Sequence, residues 1–377
     1  MGAPEGDPVT PAARSHSQGD PSGGPHGGRT GKPALAVVGA TGTVGAVMLG
    51  LLSERADIWG EIRLIASPRR AGGKLTVRGE PTEILALGED ALEGVDVALF
   101  CVPDEIAEEW APVAAAKGAV AVDGSRAFRA DPEVPLVVPE VNAHAARLRP
   151  RGIVASPGCA TLSMIVAMGA LHSEWGLEEL VVSSYEAVSG SGRAGVDALR
   201  GQLSAVSGTE LGELPGDVRR AVGEGTGPYP APIALNVVPF AGVLADGGWT
   251  SAELDIREET RKVLGMPGLR VTATCVRVPV ITGHSHSVHA RFENEVTVAA
   301  AHEILANAPG VVLCDDPGYG EFPTPADVAG TDPTWAGRVR RSPDDPRVLE
   351  LFVCGDNLRK GAALNMVQIA ESVAADL

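Results

Sequence analysis

Basic residues, aromatics and long apolar runs are what this chain has least of, and each shortage closes off a class of function. Only 31 Lys and Arg stand against 48 Asp and Glu in 377 residues, a formal charge of −17, and no basic run is interleaved with aromatics. Such a field repels nucleic acid and anionic membrane surfaces. No apolar run reaches the roughly 18 residues of a bilayer span, and the N-terminus lacks the basic-then-apolar order of a signal peptide. Cysteine is sparse too: Cys101, Cys159, Cys275, Cys314 and Cys354 are odd in number and widely spaced, with no Cys-x-x-Cys pair for zinc or redox work. These absences predict a reducing, cytoplasmic setting and a small-molecule partner, with no nucleic acid and no membrane.

What is present is apolar enough, at 44% hydrophobic residues, to build the cores of two domains. Residues 1–32 are rich in Gly, Pro, Ser and His and poor in large apolar side chains, the composition of a disordered extension. From Pro33 apolar strands alternate with amphipathic helices: Ala34 to Val38, a helix from Thr43, Ile62 to Ala66, Val95 to Val102, a helix through Ile106, Trp110 and Val113, then Ala119 to Val122. That βαβ rhythm predicts a parallel, doubly wound, Rossmann-like sheet over 33–158. Beyond it, β-branched stretches at Leu180 to Val188, Leu269 to Val280 and Ser287 to Phe292 predict a mixed or antiparallel sheet in an α+β domain over 159–354. The last helix, Leu358 to Ala374 within 355–377, is expected to pack back on the first domain. The fold class is therefore α/β with two domains.

Four constellations carry chemistry. Gly39-Ala40-Thr41-Gly42-Thr43-Val44-Gly45 joins the first strand to the first helix, where glycines let backbone N–H groups approach a pyrophosphate. At the end of the next strand stands Ser67-Pro68-Arg69-Arg70 rather than an acid for a ribose diol, which suits the 2′-phosphate of NADP; a solvated basic turn is the bland alternative. Cys159 follows Ser156-Pro157-Gly158 at the start of a predicted helix, where unpaired N–H groups and the helix dipole are expected to lower a thiol from about 8.5 toward neutrality. Most free cysteines are simply small buried hydrophobes. Finally, Arg277 in an apolar strand needs an anion, either a substrate carboxylate or a structural acid. His284 and His286 share one strand face and raise the rival reading of a metal hydrolase, but His289 faces the other way and no carboxylate lies nearby in sequence. No metal is expected.

From Pro33 to its end the chain resembles the aspartate-semialdehyde dehydrogenase family. Besides the glycine motif the resemblance rests on Asp131 to Asn142, Tyr185-Glu186-Ala187-Val188-Ser189-Gly190-Ser191-Gly192, Asn236-Val237-Val238-Pro239, Arg277 to Ser285, and Gly355-Asp356-Asn357-Leu358-Arg359-Lys360 through Asn365. It implies an NADP-dependent enzyme that reduces an acyl phosphate, L-aspartyl-4-phosphate, through a thioester on Cys159. It also implies His284 as acid/base, Glu186 beside the thiol, Arg277 on the substrate carboxylate and Arg129 on the phosphate. Ser189, Gly190, Asn357 and Asn365 join Gly39, Thr41, Gly42, Thr43, Val44, Ser67 and Arg69 on the cofactor side, and the assembly is a homodimer or tetramer. Four departures from the family pattern stand out: Gly158 for an asparagine, Glu186 for a glutamine, Ala252 and Asp255 where a substrate-contacting glutamate and lysine are expected, and Val102-Pro103-Asp104-Glu105 for a small glycine-containing turn. The added acids predict weakened use of aspartate semialdehyde and phosphate, with a modified or cationic aspartate as the natural substrate. A related acyl thioester reductase and a catalytically silent homologue remain the alternatives.

Overall fold

The computed structural model describes residues 31–377 together with Gly2, so the extension expected over 1–32 lies almost wholly outside the described residues. Its first sheet has seven strands: β1 (Leu35–Val38), β2 (Ile62–Ala66), β3 (Lys74–Val77), β4 (Glu80–Ala86), β5 (Val97–Phe100), β6 (Val120–Asp123) and β7 (Ile153–Ala155). β1, β5, β6 and β7 are buried along their whole length, as continuous apolar runs covered on both faces must be. The order β3-β4-β2-β1-β5-β6-β7 is parallel except for the edge strand β3, which returns antiparallel to β4. The chain moves outward from β1 in one direction through β2 and in the other through β5. A crevice therefore opens at the carboxyl ends of β1 and β5, where the glycine turn and Cys101-Val102 lie.

The second sheet takes β8 (Leu177–Glu186), β9 (Arg270–Arg277), β10 (His284–Phe292), β11 (Val311–Leu313), β12 (Thr334–Arg341) and β13 (Val348–Gly355) in the order β11-β12-β13-β10-β8-β9. It is mixed: β8 and β9 run parallel, as do β11 and β12, and the remaining pairs are antiparallel. β9 stops at Arg277, earlier than the apolar run suggests, two residues before Pro279, which has no N–H to give a ladder. β10 begins earlier than expected, which brings His284 into the strand with His286 on its buried face, and leaves His289 half-exposed against Glu350 on the other.

Helix Cys159–Trp175 leaves the end of β7 and runs between the layers, buried along most of its length. An apolar surface all round is what such a position demands. The terminal helix (Leu364–Ala374) does pack on the first sheet, its Val367, Ile369 and Ala370 joining Leu35, Val37 and Leu99 in one core. The stretch before it is not regular α-helix: Arg359–Ala363 forms a wide π turn with Lys360 buried inside it, Nζ donating to Glu140, Asn365 and Gln368. Among the described residues no helix is long and apolar enough to cross a membrane.

Candidate active site

On the crevice side, Gly39 has φ 92°, and a Cβ there would stand 2.3 Å from the Cys101 carbonyl oxygen, so only glycine fits the turn. Gly45 packs equally close, 2.4 Å from the Gly39 oxygen. Helix Thr43–Glu54 starts without a side-chain cap at Gly42, leaving its first N–H groups open beside exposed Thr41 and Thr43. Ser67 and Arg69 lie exposed just past β2, and neither Arg69 nor Arg70 has an ion-pair partner among the described residues. The turn thus offers N–H donors and free cations, the donor set that a dinucleotide with an added phosphate requires. A cavity of about 250 Å³ leads inward from Val44 to Ser189, Gly190, Asn357, Arg129 and Cys159. Asn365 is not among its walls. It is fully buried, with its amide spent on the Val137 carbonyl and Ser156 Oγ and its oxygen on Lys360, so its expected cofactor contact is corrected to a brace beneath the nucleophile loop.

Cys159 stands at the first position of its helix, as expected, and its Sγ lies 3.2 Å from His284 Nε2. The other ring nitrogen, Nδ1, accepts the Ala187 backbone N–H at 3.0 Å. Burial and the Arg277 guanidinium hold this imidazole well below its ordinary value. The thiol departs from expectation. Burial, then Glu186, push it up to about 11, against the pull of Arg277 and Arg129. Desolvation is the largest of these influences, and it favours the protonated thiol. His286, one step along the same face, is fully buried with neither ring nitrogen bonded, and burial lowers it to about 3. Among the described residues no three His, Cys, Asp or Glu side chains converge as a metal site.

Two arginines flank the sulfur, each paired with a buried acid. Arg277 Nη1 lies 3.0 Å from Glu186 Oε2 and 3.3 Å from the Ala187 carbonyl oxygen. Strand register dictates this pair, since Glu186 and Arg277 are direct neighbours across β8 and β9. The acid that partners Arg277 in this structure is therefore Glu186. Arg129 donates Nη1 to Glu259 Oε1 at 3.0 Å and Nη2 to the Gly124 carbonyl. Glu259 Oε2 in turn accepts the Gly158 N–H at 2.8 Å and the Thr161 hydroxyl at 2.5 Å. Gly158 makes room for this arrangement: a Cβ there would approach Arg129 Nη1 to 2.8 Å and both Glu259 oxygens to within 3.4 Å.

These contacts correct the reading of helix Ser251–Leu264. Ala252 packs against the core, and Asp255 sits at the rim, where Arg126 binds it at 2.8 Å. The acid and lysine beside Arg129 are Glu259 and Lys262, whose Nζ donates to the Arg129 and Asp131 carbonyls. Sequence reasoning missed both. The available signal was their three-residue spacing, which sets them on one helix face. Asp104 also has a local purpose, accepting the Arg126 N–H at 2.9 Å at the start of helix Asp104–Ala116. Glu186 and Asp255 are each ion-paired, so neither is the unpartnered acid on which the expectation of a weakened substrate preference rests.

The chain matches two family models, "Semialdehyde dehydrogenase, NAD binding domain" over residues 34–148 and "Semialdehyde dehydrogenase, dimerisation domain" over 168–360. It is 48% identical over 344 residues to the aspartate-semialdehyde dehydrogenase of Corynebacterium glutamicum, covering 89% of this chain and 98% of that protein. The chain belongs to the aspartate-semialdehyde dehydrogenase family. Its members are oxidoreductases, and this one carries the family's dinucleotide-binding and dimerisation domains. The crystal structure of aspartate semialdehyde dehydrogenase II complexed with ASA from Vibrio cholerae is similar, with TM-score 0.84 and 35% identity, over 92% of this chain and 99% of that one. The Candida albicans family structure with NADP, 21% identical at TM-score 0.66 over 91% and 98% of the two chains, shares the fold.

Proposed function

We propose that this protein catalyses the NADP-dependent reductive dephosphorylation of L-aspartyl-4-phosphate to aspartate semialdehyde, and its reverse, through a thioester on Cys159. The observation that carries the reading is a sulfur 3.2 Å from an imidazole nitrogen, between two arginines, on the cavity that opens to the glycine turn. Arg129 holds the phosphate, Arg277 the amino-acid carboxylate, and a covalent sulfur divides one difficult acyl reduction into two easier steps. NADP, when bound, supplies the hydride. Toward it the chain contributes the Gly39 to Gly45 turn, the open N–H groups of the first helix, Ser67 and Arg69 for the 2′-phosphate, and Ser189, Gly190 and Asn357 along the cavity. His284, its Nε2 3.2 Å from the sulfur, is the acid/base that shuttles the proton between the thiol, the oxygen that gains charge and solvent. Pairing of Glu186 and Asp255 supports the unmodified substrate over an altered one. The dimerisation-domain match supports a homodimer, and five free cysteines support a reducing, cytoplasmic setting.

Recombinant protein with aspartate semialdehyde, phosphate and NADP should produce the absorbance of the reduced cofactor. Cys159→Ala should remove that rate by at least about 10⁴-fold. NADP should bind more tightly than NAD, and Arg69→Ala should narrow the gap by about 1.5 to 3 kcal/mol if a charged hydrogen bond is lost. No turnover of this substrate, or a wild type that prefers NAD, contradicts the reading.

A further inference from the structure

We propose that Lys360 is a positioning residue for Cys159: its buried ammonium ties the loop leading into the nucleophile to the wide turn that lies over it, and so fixes where the sulfur stands. In the reaction proposed above, on which this inference rests, Lys360 reaches no reacting atom. It does not line the cavity, and its side chain is only 2% exposed.

Its partners require that it be charged. Nζ lies 2.6 Å from Glu140 Oε2, 2.9 Å from Asn365 Oδ1 and 2.8 Å from Gln368 Oε1. Each amide is oriented by its other end, since the Gln368 nitrogen donates to Glu140 Oε1 and the Asn365 nitrogen to the Val137 carbonyl. Three acceptors therefore face Nζ, and only an ammonium has three N–H groups and no lone pair. A core does not need such a group to hold together. Apolar side chains of similar volume often stabilise as well as a buried ion pair or better, and the best-attested use of the pair is to fix one arrangement among several.

Two routes lead from the ammonium to Cys159. The first runs through Asn365, which is fully buried and whose oxygen has Lys360 as its donor. The Asn365 nitrogen also donates to Ser156 Oγ at 2.9 Å, three residues before the sulfur, and the Ser156 N–H is held by the Asp123 carbonyl at the end of β6. Without the ammonium, Asn365 Oδ1 is a buried acceptor with no donor, which draws the amide out of its orientation and its bond to Ser156 with it. The second route is the turn itself. The Gly361 N–H bonds the Asp356 carbonyl and the Ala363 N–H the Leu358 carbonyl, each five residues back. This wide winding buries Lys360 while Leu358, Gly361 and Ala362 line the cavity. A Cβ on Gly361 would stand 3.3 Å from Cys159 Cβ, so the backbone of the turn lies directly on the nucleophile. Glu140, in the short helix Pro139–Asn142, anchors the ammonium to the first domain.

Lys360→Met alone strands the Glu140 carboxylate, so the decisive protein is the full chain carrying Lys360→Met and Glu140→Gln, which removes both charges together. Its urea midpoint should stay near that of the wild type. Iodoacetamide labelling followed by peptide mass needs no turnover, and so reports on the sulfur whether or not the proposed reaction occurs. Burial restrains Cys159, so freeing its loop should quicken its alkylation about tenfold and leave the buried Cys275 and Cys354 unchanged. Ser156→Ala, which keeps the ammonium and its three partners, should quicken the same site about threefold, and tests the tether from its other end should the double variant not fold. With aspartate semialdehyde, phosphate and NADP, kcat of the double variant should fall about 100-fold. Both KM values should stay within about threefold of wild type. Unchanged labelling of Cys159 in either protein, equal quickening of all three cysteines, or a wild-type kcat would assign Lys360 to the fold alone and overturn the inference. The expected labelling in a protein that turns over no aspartate semialdehyde would overturn only the reaction.

Discussion

On the two sides of Cys159 a buried carboxylate meets an arginine, but the carboxylates are anchored to different degrees. Glu259 uses both oxygens, one on Arg129 and the other on the Gly158 N–H and the Thr161 hydroxyl. Glu186 puts one oxygen on Arg277, while the other lies a long 3.5 Å from Ser184 Oγ. The first pair sews the helix Ser251–Leu264 to the nucleophile loop, so its charge serves as a structural joint. The second is a local strand-to-strand pair beside the thiol, so its charge acts mainly on the sulfur. Similar ion pairs thus give one residue that shapes the site and another that sets its field.

The sharpest way to break this comparison is Glu259→Gln. It removes charge-assisted bonds from the loop and leaves Arg129 buried without a counter-charge, so unfolding stability should fall by about 3 to 5 kcal/mol, read from the urea midpoint. A loss no larger than that of Glu186→Gln would erase the distinction.

His286 offers a contrast, as a buried group with no partner at all. Its folded value, about 3, lies below the 6.5 of an exposed histidine. Between those values the unfolded chain binds a proton that the folded chain does not. Its contribution is therefore present above pH 6.5 and lost as pH falls toward 3, at up to about 1.4 kcal/mol per pH unit. His286→Leu should flatten that part of the stability-versus-pH curve, and an unchanged slope would show that the ring finds a partner in solution.

The smallest expected effect is that of Glu186→Gln. The amide still accepts from Arg277 but no longer opposes a thiolate, so alkylation of Cys159 at pH 8 should quicken about three- to tenfold, equivalent to a shift of up to one pH unit. A slower reaction would mean that Glu186, like Glu259, holds the site's shape.

The parts of this site legible in the sequence are those built by neighbours in the chain. Leu35–Val38 followed by three glycines reads as a strand, turn and helix because period, burial and φ requirements are all local. The Pro157-Gly158-Cys159 start of the central helix is legible for the same reason. Glu259 was not, since its partners Gly158 and Thr161 lie 101 and 98 residues away and nothing around it differs from other polar helix positions. The Glu186 pair needed the β8–β9 register, which composition does not fix. The raised thiol was missed because a helix terminus can be read from sequence, whereas the burial that favours the protonated thiol cannot.

The central claim is that Cys159 carries the acyl group. Mixing the protein with aspartate semialdehyde and NADP in the absence of phosphate should give one burst of reduced cofactor per active site and leave an aspartyl thioester, found by mass on the peptide containing Cys159. A burst without that adduct, or an adduct on another cysteine, would contradict the account.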